Sequence, residues 1–490
     1  MSGKVYLVGG GPGDAGLLTC KGKWLLDRAD VVVYDALVGD AVLAMIPPET
    51  RRINVGKRSG NHTCSQNEIN HILLDEALQG NTVVRLQGGD PFLFGRGGEE
   101  AALLSEHGVA FEVVPGVTSA LSAPAYAGIP VTHRDLSASV HIYTAHRKAG
   151  TALGLDYPTL ARLGGTLVFL MGISALPELC RGLLDAGMDG DTPAAVVHRG
   201  TTAAQDKVIS TLARLPEDAR EMTAPSIILV GPVCALSETL SWAERRPLFG
   251  LRFLVTRPRR RGSQLTERLR ALGGEVVELP AISTDLLPGA NLDALWESQW
   301  LVFTSPSGVE LFFDLLRTRS LDVRRLAHLK IAALGQGTAD RLAGFGLLAD
   351  LVPPTYDADS LGLALAGQLQ TGDRVFLARA REGSAALVER LAAVPGVEVV
   401  DRAIYETVAV PPVLDPLPLL DGRTWPVFTS ASTVRSFAKM TGAEHLNGVH
   451  ALCIGPQTAD QAKKYGMEVK IAAASTIDAL VDSALSLSRD

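Results

Sequence analysis

Gly88-Gly89-Asp90-Pro91-Phe92-Leu93-Phe94-Gly95-Arg96-Gly97-Gly98-Glu99-Glu100 follows the apolar run Thr82-Val83-Val84-Arg85-Leu86 and leads into Ala101 to Leu104. The run reads as a short buried strand and the stretch after the loop as a helix start. A glycine-dense loop that leaves a strand and opens a helix is where a parallel α/β sheet holds its ligands. Five of the eleven residues 88–98 are glycine, an entropy cost that a plain connector has no reason to carry. Asp90, Arg96 and Glu99 are charged side chains on this loop. The bland alternative is a tight turn packed beneath another domain.

The chain has 490 residues, 47% of them hydrophobic and 20% charged, which leaves room for about two to four globular domains. A formal charge of −7 argues against nucleic acid as the main partner. Cys20, Cys64, Cys180, Cys234 and Cys453 form no CxxC pair and suggest neither a disulfide framework nor a zinc site. No apolar run reaches about 18 residues, and no basic-then-apolar leader precedes Val5. The expectation is a cytoplasmic protein with no membrane contact.

Around the glycine loop, strand and helix signals alternate. Val5 to Gly9 reads as a strand that ends in Gly10-Gly11-Pro12-Gly13-Asp14, residues 17–29 as a helix, and Val31 to Tyr34 as a strand closed by Asp35. Gly11, Gly13 and Gly16 satisfy GxGxxG in form. Pro12 weakens a dinucleotide reading, because it lacks an N–H that a phosphate cradle would use. Lys57 lies in Gly56-Lys57-Arg58-Ser59-Gly60, and Pro115 to Ala120 turns from a strand into a small-residue helix. A subdomain boundary is expected near 145–160. Beyond it, residues 176–186 and 201–215 read as helices between strands. Met171-Gly172 sits at a strand end.

A new strand–helix series begins near Arg252 and contains a repeat. Phe303-Thr304-Ser305 recurs 125 residues later as Phe428-Thr429-Ser430, and the element around Thr338 recurs 120 residues later around Thr458. This predicts two similar α/β lobes. Hydroxyls and free N–H groups at helix starts suit anions, and they also serve as ordinary helix caps. Arg257 belongs to a set of seven arginines within 252–270, either a solvated face or a polyanion site. Asp35 and Lys57 could act as proton acceptor and donor if they share a cleft; exposed salt bridges are the alternative. The histidines at 133, 141, 146 and 198 lack metal-ligand spacing.

Six segments together resemble the tetrapyrrole methylase family, specifically its uroporphyrinogen-III C-methyltransferases. They are Val8 to Asp14, Val33 to Val38, Gly56-Lys57-Arg58, Gly88 to Glu100, Pro115 to Ala120 and Ala125 to Pro130. Residues 251–490 more weakly resemble uroporphyrinogen-III synthase. The resemblance implies an α/β fold throughout, with a two-domain methylase over 1–240 (subdomains about 1–145 and 146–240) and a linker over 241–250. A two-lobed synthase follows, with lobe one as 251–282 plus 410–490 and lobe two as 283–405.

The resemblance also implies S-adenosyl-L-methionine as cofactor, near Pro12, Gly88, Gly89, Asp90, Leu93, Thr118, Ser119, Met171 and Gly200. It implies Asp35 as proton acceptor and Lys57 as donor, with Arg96 and Glu99 assigned to the substrate in related enzymes. In the rear half it implies Tyr405 in hydroxide departure, an ordinary packing tyrosine being the alternative. Arg257, Thr304, Ser305, Thr338, Thr429, Ser430 and Thr458 become lining candidates there.

The reactions so implied are cyclisation of hydroxymethylbilane to uroporphyrinogen III with the fourth ring inverted, and double C-methylation of that product to precorrin-2. A homodimer through the methylase half and a separate downstream precorrin-2 dehydrogenase or chelatase are implied as partners. Gln87 and Ala145 stand where family members often carry Lys and Gly. Two alternatives stay open: a methylase of a later cobalamin intermediate, and a rear half that is a nonenzymatic anion-binding or regulatory module.

Overall fold

The computed structural model describes residues 3–56, 64–145, 153–257, 263–383 and 385–487. Lys57 and His146 lie outside them, as do Arg259, Arg260 and Arg261. The chain forms two compact units, Met1–Leu279 with Pro411–Asp490, and Pro280–Val410.

The first sheet contains β1 (Lys4–Gly9), β2 (Val31–Tyr34), β3 (Arg51–Asn54), β4 (Thr82–Gln87) and β5 (Ala110–Val114), in the order β3-β2-β4-β1-β5. Every neighbouring pair is parallel, so the loops after all five strands emerge at one rim. Val5, Leu7, Val31, Val33 and Val83 form an apolar core with Leu73, Leu74 and Leu104 from the helices Gln66–Leu78 and Gly97–Glu106. Near-continuous β-branched runs form buried parallel strands because both faces are covered.

At that rim three loops meet through their backbones. A Cβ on Gly9 would lie 2.5 Å from Gly116 Cα and 2.6 Å from Gly89 O, and one on Gly116 would come closer still to Gly89 O. The Gly11 and Gly89 backbones exchange hydrogen bonds of 3.2 and 2.8 Å, and Gly10 N donates to Gln87 O at 2.7 Å. The Gly10 and Gly11 N–H groups of the formal GxGxxG loop are thus spent on Gln87 and Gly89, and Pro12 has none to offer a phosphate.

The second sheet has β6 (Val140–Thr144), β7 (Thr166–Leu170), β8 (Pro193–His198), β9 (Asp206–Thr211) and β10 (Ser226–Val230), ordered β6-β7-β10-β8-β9. It is mixed, with β10 antiparallel to both β7 and β8. The ends of β7 and β8 therefore share an edge, which brings Met171 and Gly200 to the same side. The helix expected over 201–215 is a turn followed by β9. Lys207-Val208-Ile209-Ser210-Thr211 is rich in β-branched residues, and pairing with β8 outweighs any helical reading. The first helix is also shorter than expected, Cys20–Leu26, capped by Thr19, whose hydroxyl accepts from Gly22 N at 3.0 Å.

The segment 241–250, expected as a linker, is packed. Trp242 donates from Nε1 to Ala125 O at 2.9 Å and meets Tyr126 edge-on at 4.9 Å. A third sheet opens with β11 (Arg252–Val255) and β12 (Glu275–Glu278). It abuts the front half through Glu275, whose Oε2 accepts from Ala203 N at 2.8 Å.

The second unit holds the fourth sheet: β13 (Ile282–Leu286), β14 (Trp300–Phe303), β15 (Lys330–Ala333), β16 (Arg374–Ala380) and β17 (Glu398–Ala409), ordered β13-β17-β16-β14-β15. The chain then completes the third sheet with β18 (Thr424–Phe428), β19 (His450–Cys453) and β20 (Glu468–Ile471), in the order β12-β11-β18-β19-β20. β14 and β18 each lead through a serine cap into a helix, Pro306–Thr318 and Ala431–Thr441, which is the repeat seen in the sequence. No helix among the described residues is long and apolar enough to cross a membrane.

Gly116→Ala is expected to push the three rim loops apart and weaken the first sheet by about 1–3 kcal/mol. Amide exchange at Gly10, Gly11 and Gly89 should quicken. Unchanged exchange at all three would show that the close approach costs nothing to open.

Candidate functional site

The rim of the first sheet gathers most of the front-half candidates. Asp90 is a staple: its Oδ1 accepts from Phe92 N at 2.8 Å and its Oδ2 from Gly116 N at 3.0 Å. It ties the loop after β4 to the loop after β5, where Thr118 caps the helix Ser119–Tyr126 by accepting from Ala120 N at 3.3 Å. Leu93 leaves the same loop and packs on a cluster of the second sheet containing Ala120, Ala123, Val168 and Val197. A Cβ on Gly88 would meet Leu37 Cβ at 2.7 Å, so backbone rather than side chain faces the rim there. Pro12 lies half-buried in the loop after β1.

From the second sheet, Met171 is half-exposed with φ +57°. Arg199 and Thr201, with φ +42° and +77°, flank Gly200, whose Cβ would lie 2.5 Å from Ala123 Cβ. Non-glycine residues held at positive φ store backbone strain, and such strain gathers at ligand loops.

Asp35 follows β2 directly. Its Oδ1 accepts from Leu37 N at 2.9 Å, and its Oδ2 lies 3.5 Å from an Arg85 guanidinium nitrogen. Arg96, at φ +60°, stands at the start of the helix Gly97–Glu106. It forks onto Glu99 with bonds of 2.9 and 2.7 Å, both side chains being 55% exposed. The paired guanidinium holds the Glu99 carboxyl below its ordinary range. Sequence reasoning passed over Arg85 and Glu100. Arg85 is a lone charge in an apolar strand, and that was the available signal.

The rear candidates sit at strand ends. In the second unit, Ser305 caps its helix, accepting from Gly308 N at 2.9 Å, and its hydroxyl lies 2.7 Å from Tyr405 OH. Tyr405 is 4% exposed within the core. Thr304 is half-buried beside Ser305 and Thr338 is buried. Arg379 forks onto Asp401, with Nε 2.5 Å from Oδ1. In the first unit Ser430 caps the matching helix, accepting from Thr433 N at 3.3 Å. Thr429 is half-buried beside it and Thr458 is buried. Burial pulls the Arg257 pKa below its usual value. Burial also pushes the thiols of Cys180, Cys234 and Cys453 up to about 12, which leaves them inert.

Residues 4–216 match the family described as Tetrapyrrole (Corrin/Porphyrin) Methylases, and residues 263–482 match Uroporphyrinogen-III synthase HemD. The chain is 43% identical to the "Porphyrin biosynthesis protein HemD" of Ruminiclostridium josui, over 99% of this chain and 98% of that protein. It is 40% identical to the uroporphyrinogen-III C-methyltransferase of Bacillus subtilis (strain 168), over 72% of this chain and 74% of the relative. The S-adenosyl-L-methionine-dependent uroporphyrinogen III methyltransferase of Methanosarcina barkeri (strain Fusaro / DSM 804) is 50% identical over 49% of this chain and 94% of its own length. With a likeness that runs nearly end to end, and with each half matched separately, the chain belongs to the tetrapyrrole methylases in its front half and to the uroporphyrinogen-III synthases in its rear half, and is a bifunctional enzyme.

Proposed function

We propose that the rear half closes hydroxymethylbilane to uroporphyrinogen III with inversion of the fourth ring, and that the front half methylates this product twice to precorrin-2. The observation that carries the methylase reading is the convergence of Asp35, the Gly88–Asp90 backbone and the Thr118 turn at one rim of a parallel sheet. The end-to-end likeness to a porphyrin biosynthesis protein supports placing both reactions on one chain.

The rim fits S-adenosylmethionine. Backbone at Gly88 and Gly89, hydroxyls of Thr118 and Ser119, and apolar Leu93 and Met171 suit an adenosyl ligand with a short amino-acid tail. Pro12 and Gly200 close it without bulk. When bound, the cofactor supplies an electrophilic methyl on a sulfonium. Asp35 takes the proton that the macrocycle releases, from a position other than the fully substituted methylated carbon, when conjugation is restored after methyl transfer. Lys57, the donor implied by resemblance, lies outside the described residues.

Arg96 receives a substrate carboxylate in place of Glu99. An exposed ion pair is worth at most about 1 kcal/mol, so the exchange costs little, and the guanidinium fork is suited to carboxylate. Glu99 then orients Arg96 until the substrate arrives.

In the rear half, positioning dominates, because the bilane also cyclises unaided to the other isomer. In the second unit the hydroxyls of Thr304 and Ser305 are suited to propionate and acetate groups, with Thr338 bracing a helix start; in the first unit Thr429, Ser430 and Arg257 are suited to the same groups, with Thr458 bracing a helix start. The Tyr405 hydroxyl assists hydroxide departure, with Ser305 holding it in place. The methylase half self-associates as a homodimer, and precorrin-2 passes to a separate dehydrogenase or chelatase.

Full-length protein given hydroxymethylbilane and S-adenosylmethionine should yield a product of isomer III skeleton carrying two added methyls. One added methyl, or none, would overturn the methylase assignment. Asp35→Asn should cut methylation by roughly 10²–10⁴-fold, the usual worth of a general base, and leave bilane closure intact. Tyr405→Phe preserves the buried ring and deletes only the hydroxyl. Closure should slow by roughly 10²-fold as isomer I accumulates, whereas a wild-type rate and isomer ratio would reduce Tyr405 to packing.

A further inference from the structure

Behind Asp35 runs a buried ionic chain that the motifs do not explain. Arg85 projects from β4 where Val33 of β2 lies opposite it, two residues before Asp35, so the two side chains share a face. The Arg85 side chain is 4% exposed. One guanidinium nitrogen lies 3.5 Å from Asp35 Oδ2, Nε donates to Glu100 Oε1 at 3.1 Å, and another nitrogen donates to Leu86 O at 3.3 Å. Glu100, on the helix Gly97–Glu106, is fully buried. Its Oε1 also accepts from Gln66 Nε2 at 3.1 Å and Gln87 Nε2 at 3.3 Å, while its Oε2 has no hydrogen-bond partner.

One buried cation thus serves two carboxylates. Glu100 is sealed in, while Asp35 is 24% exposed at the rim. A cation stabilises the charged form of whichever carboxylate holds it, and two carboxylates that share one cation compete. We propose that Arg85, anchored by Glu100, is a positioning residue that fixes the Asp35 carboxylate at the rim and divides its charge between that carboxylate and Glu100. This rests on the reading of Asp35 as proton acceptor.

The groups facing the chain are few among the described residues. Gln66 faces it from the helix Gln66–Leu78, Gln87 from β4 and Glu100 from the helix Gly97–Glu106. The exposed Arg96 and Glu99 pair with each other on that helix's first turn, and Arg96 adds a weak attraction to Glu100. Burial pushes the Glu100 carboxyl up, opposed by Arg85, and the nearby Asp35 charge pushes it further the same way.

The test is the acid limb of the methylation pH–rate profile, measured on the full chain with saturating S-adenosylmethionine. Arg85→Met removes the cation, leaves Asp35 facing Glu100, and should move the limb up by about one unit or more. Glu100→Gln keeps the shape, removes the competing anion, and should move the limb down. Arg85→Lys should fall between wild type and Arg85→Met. A purely structural network would lower the plateau in every variant without moving the limb in opposite directions. Shifts of the same sign, or no shift, would overturn the proposal. If Arg85→Met does not fold, Glu100→Gln and Arg85→Lys decide it alone. Asp35→Asn separates the two readings: full methylation by that variant sinks the role of Asp35 itself, whereas its loss together with unmoved limbs sinks only the role of Arg85.

Discussion

Three backbones approach one another at the ends of β1, β4 and β5, with no room for a Cβ on Gly9 or Gly116 against the Gly89 carbonyl. The geometry of the front rim follows from that contact. Because the loops nest, the Asp90 carboxylate reaches across from one to the next and satisfies Gly116 N. Because Gly116 is held, Thr118 arrives in place to cap the following helix. The same nesting consumes the Gly10 and Gly11 N–H groups, and these two glycines support close packing rather than a phosphate cradle. A dinucleotide fingerprint requires free N–H groups, and here the first two are already bonded and Pro12 has none.

The two halves build their rims by different physics. In front, the backbone forms the surface and charged side chains stand behind it. In the rear, each repeat ends a strand with a hydroxyl that caps a helix, Ser305 in one unit and Ser430 in the other. Each cap is worth about 1 kcal/mol to its helix, so these hydroxyls are held in fixed orientations. Rigid neutral hydroxyls suit the positioning role proposed for the rear half.

Much of this was legible in the residues, for traceable reasons. Valine-rich runs followed by glycines marked the parallel strands and the rim, and the Thr304-Ser305 and Thr429-Ser430 pairs exposed the internal repeat. Residues 201–215 were misread as a helix because Thr-Thr-Ala-Ala-Gln carries no strand pattern. The alternation starts only at Lys207, and its pairing with β8 is a long-range fact. The segment 241–250 read as a connector because its apolar residues are scattered, yet Trp242 and Leu248 are held by partners far away in sequence. Glu100 was hidden for a third reason: acidic residues are expected in a first helical turn, so a buried one looks like any other.

Stability alone does not account for that buried network. Replacing a buried ion pair by apolar residues of similar volume is often neutral or stabilising, and the surrounding face, with Val31, Val33 and Val83, would accept a leucine or methionine at position 85. Glu100 Oε2 without a partner adds a cost of about 1–3 kcal/mol that an apolar side chain would not incur. The polar side chains on this face of β4 also appear only at its rim end, at the charged Arg85 and the neutral Gln87, where the strand meets Asp35; the residue on the same face farther from the rim, Val83, is apolar. A cost placed where the buried Arg85 reaches the partly exposed Asp35 fits the proposed positioning of that carboxylate better than any service to the fold.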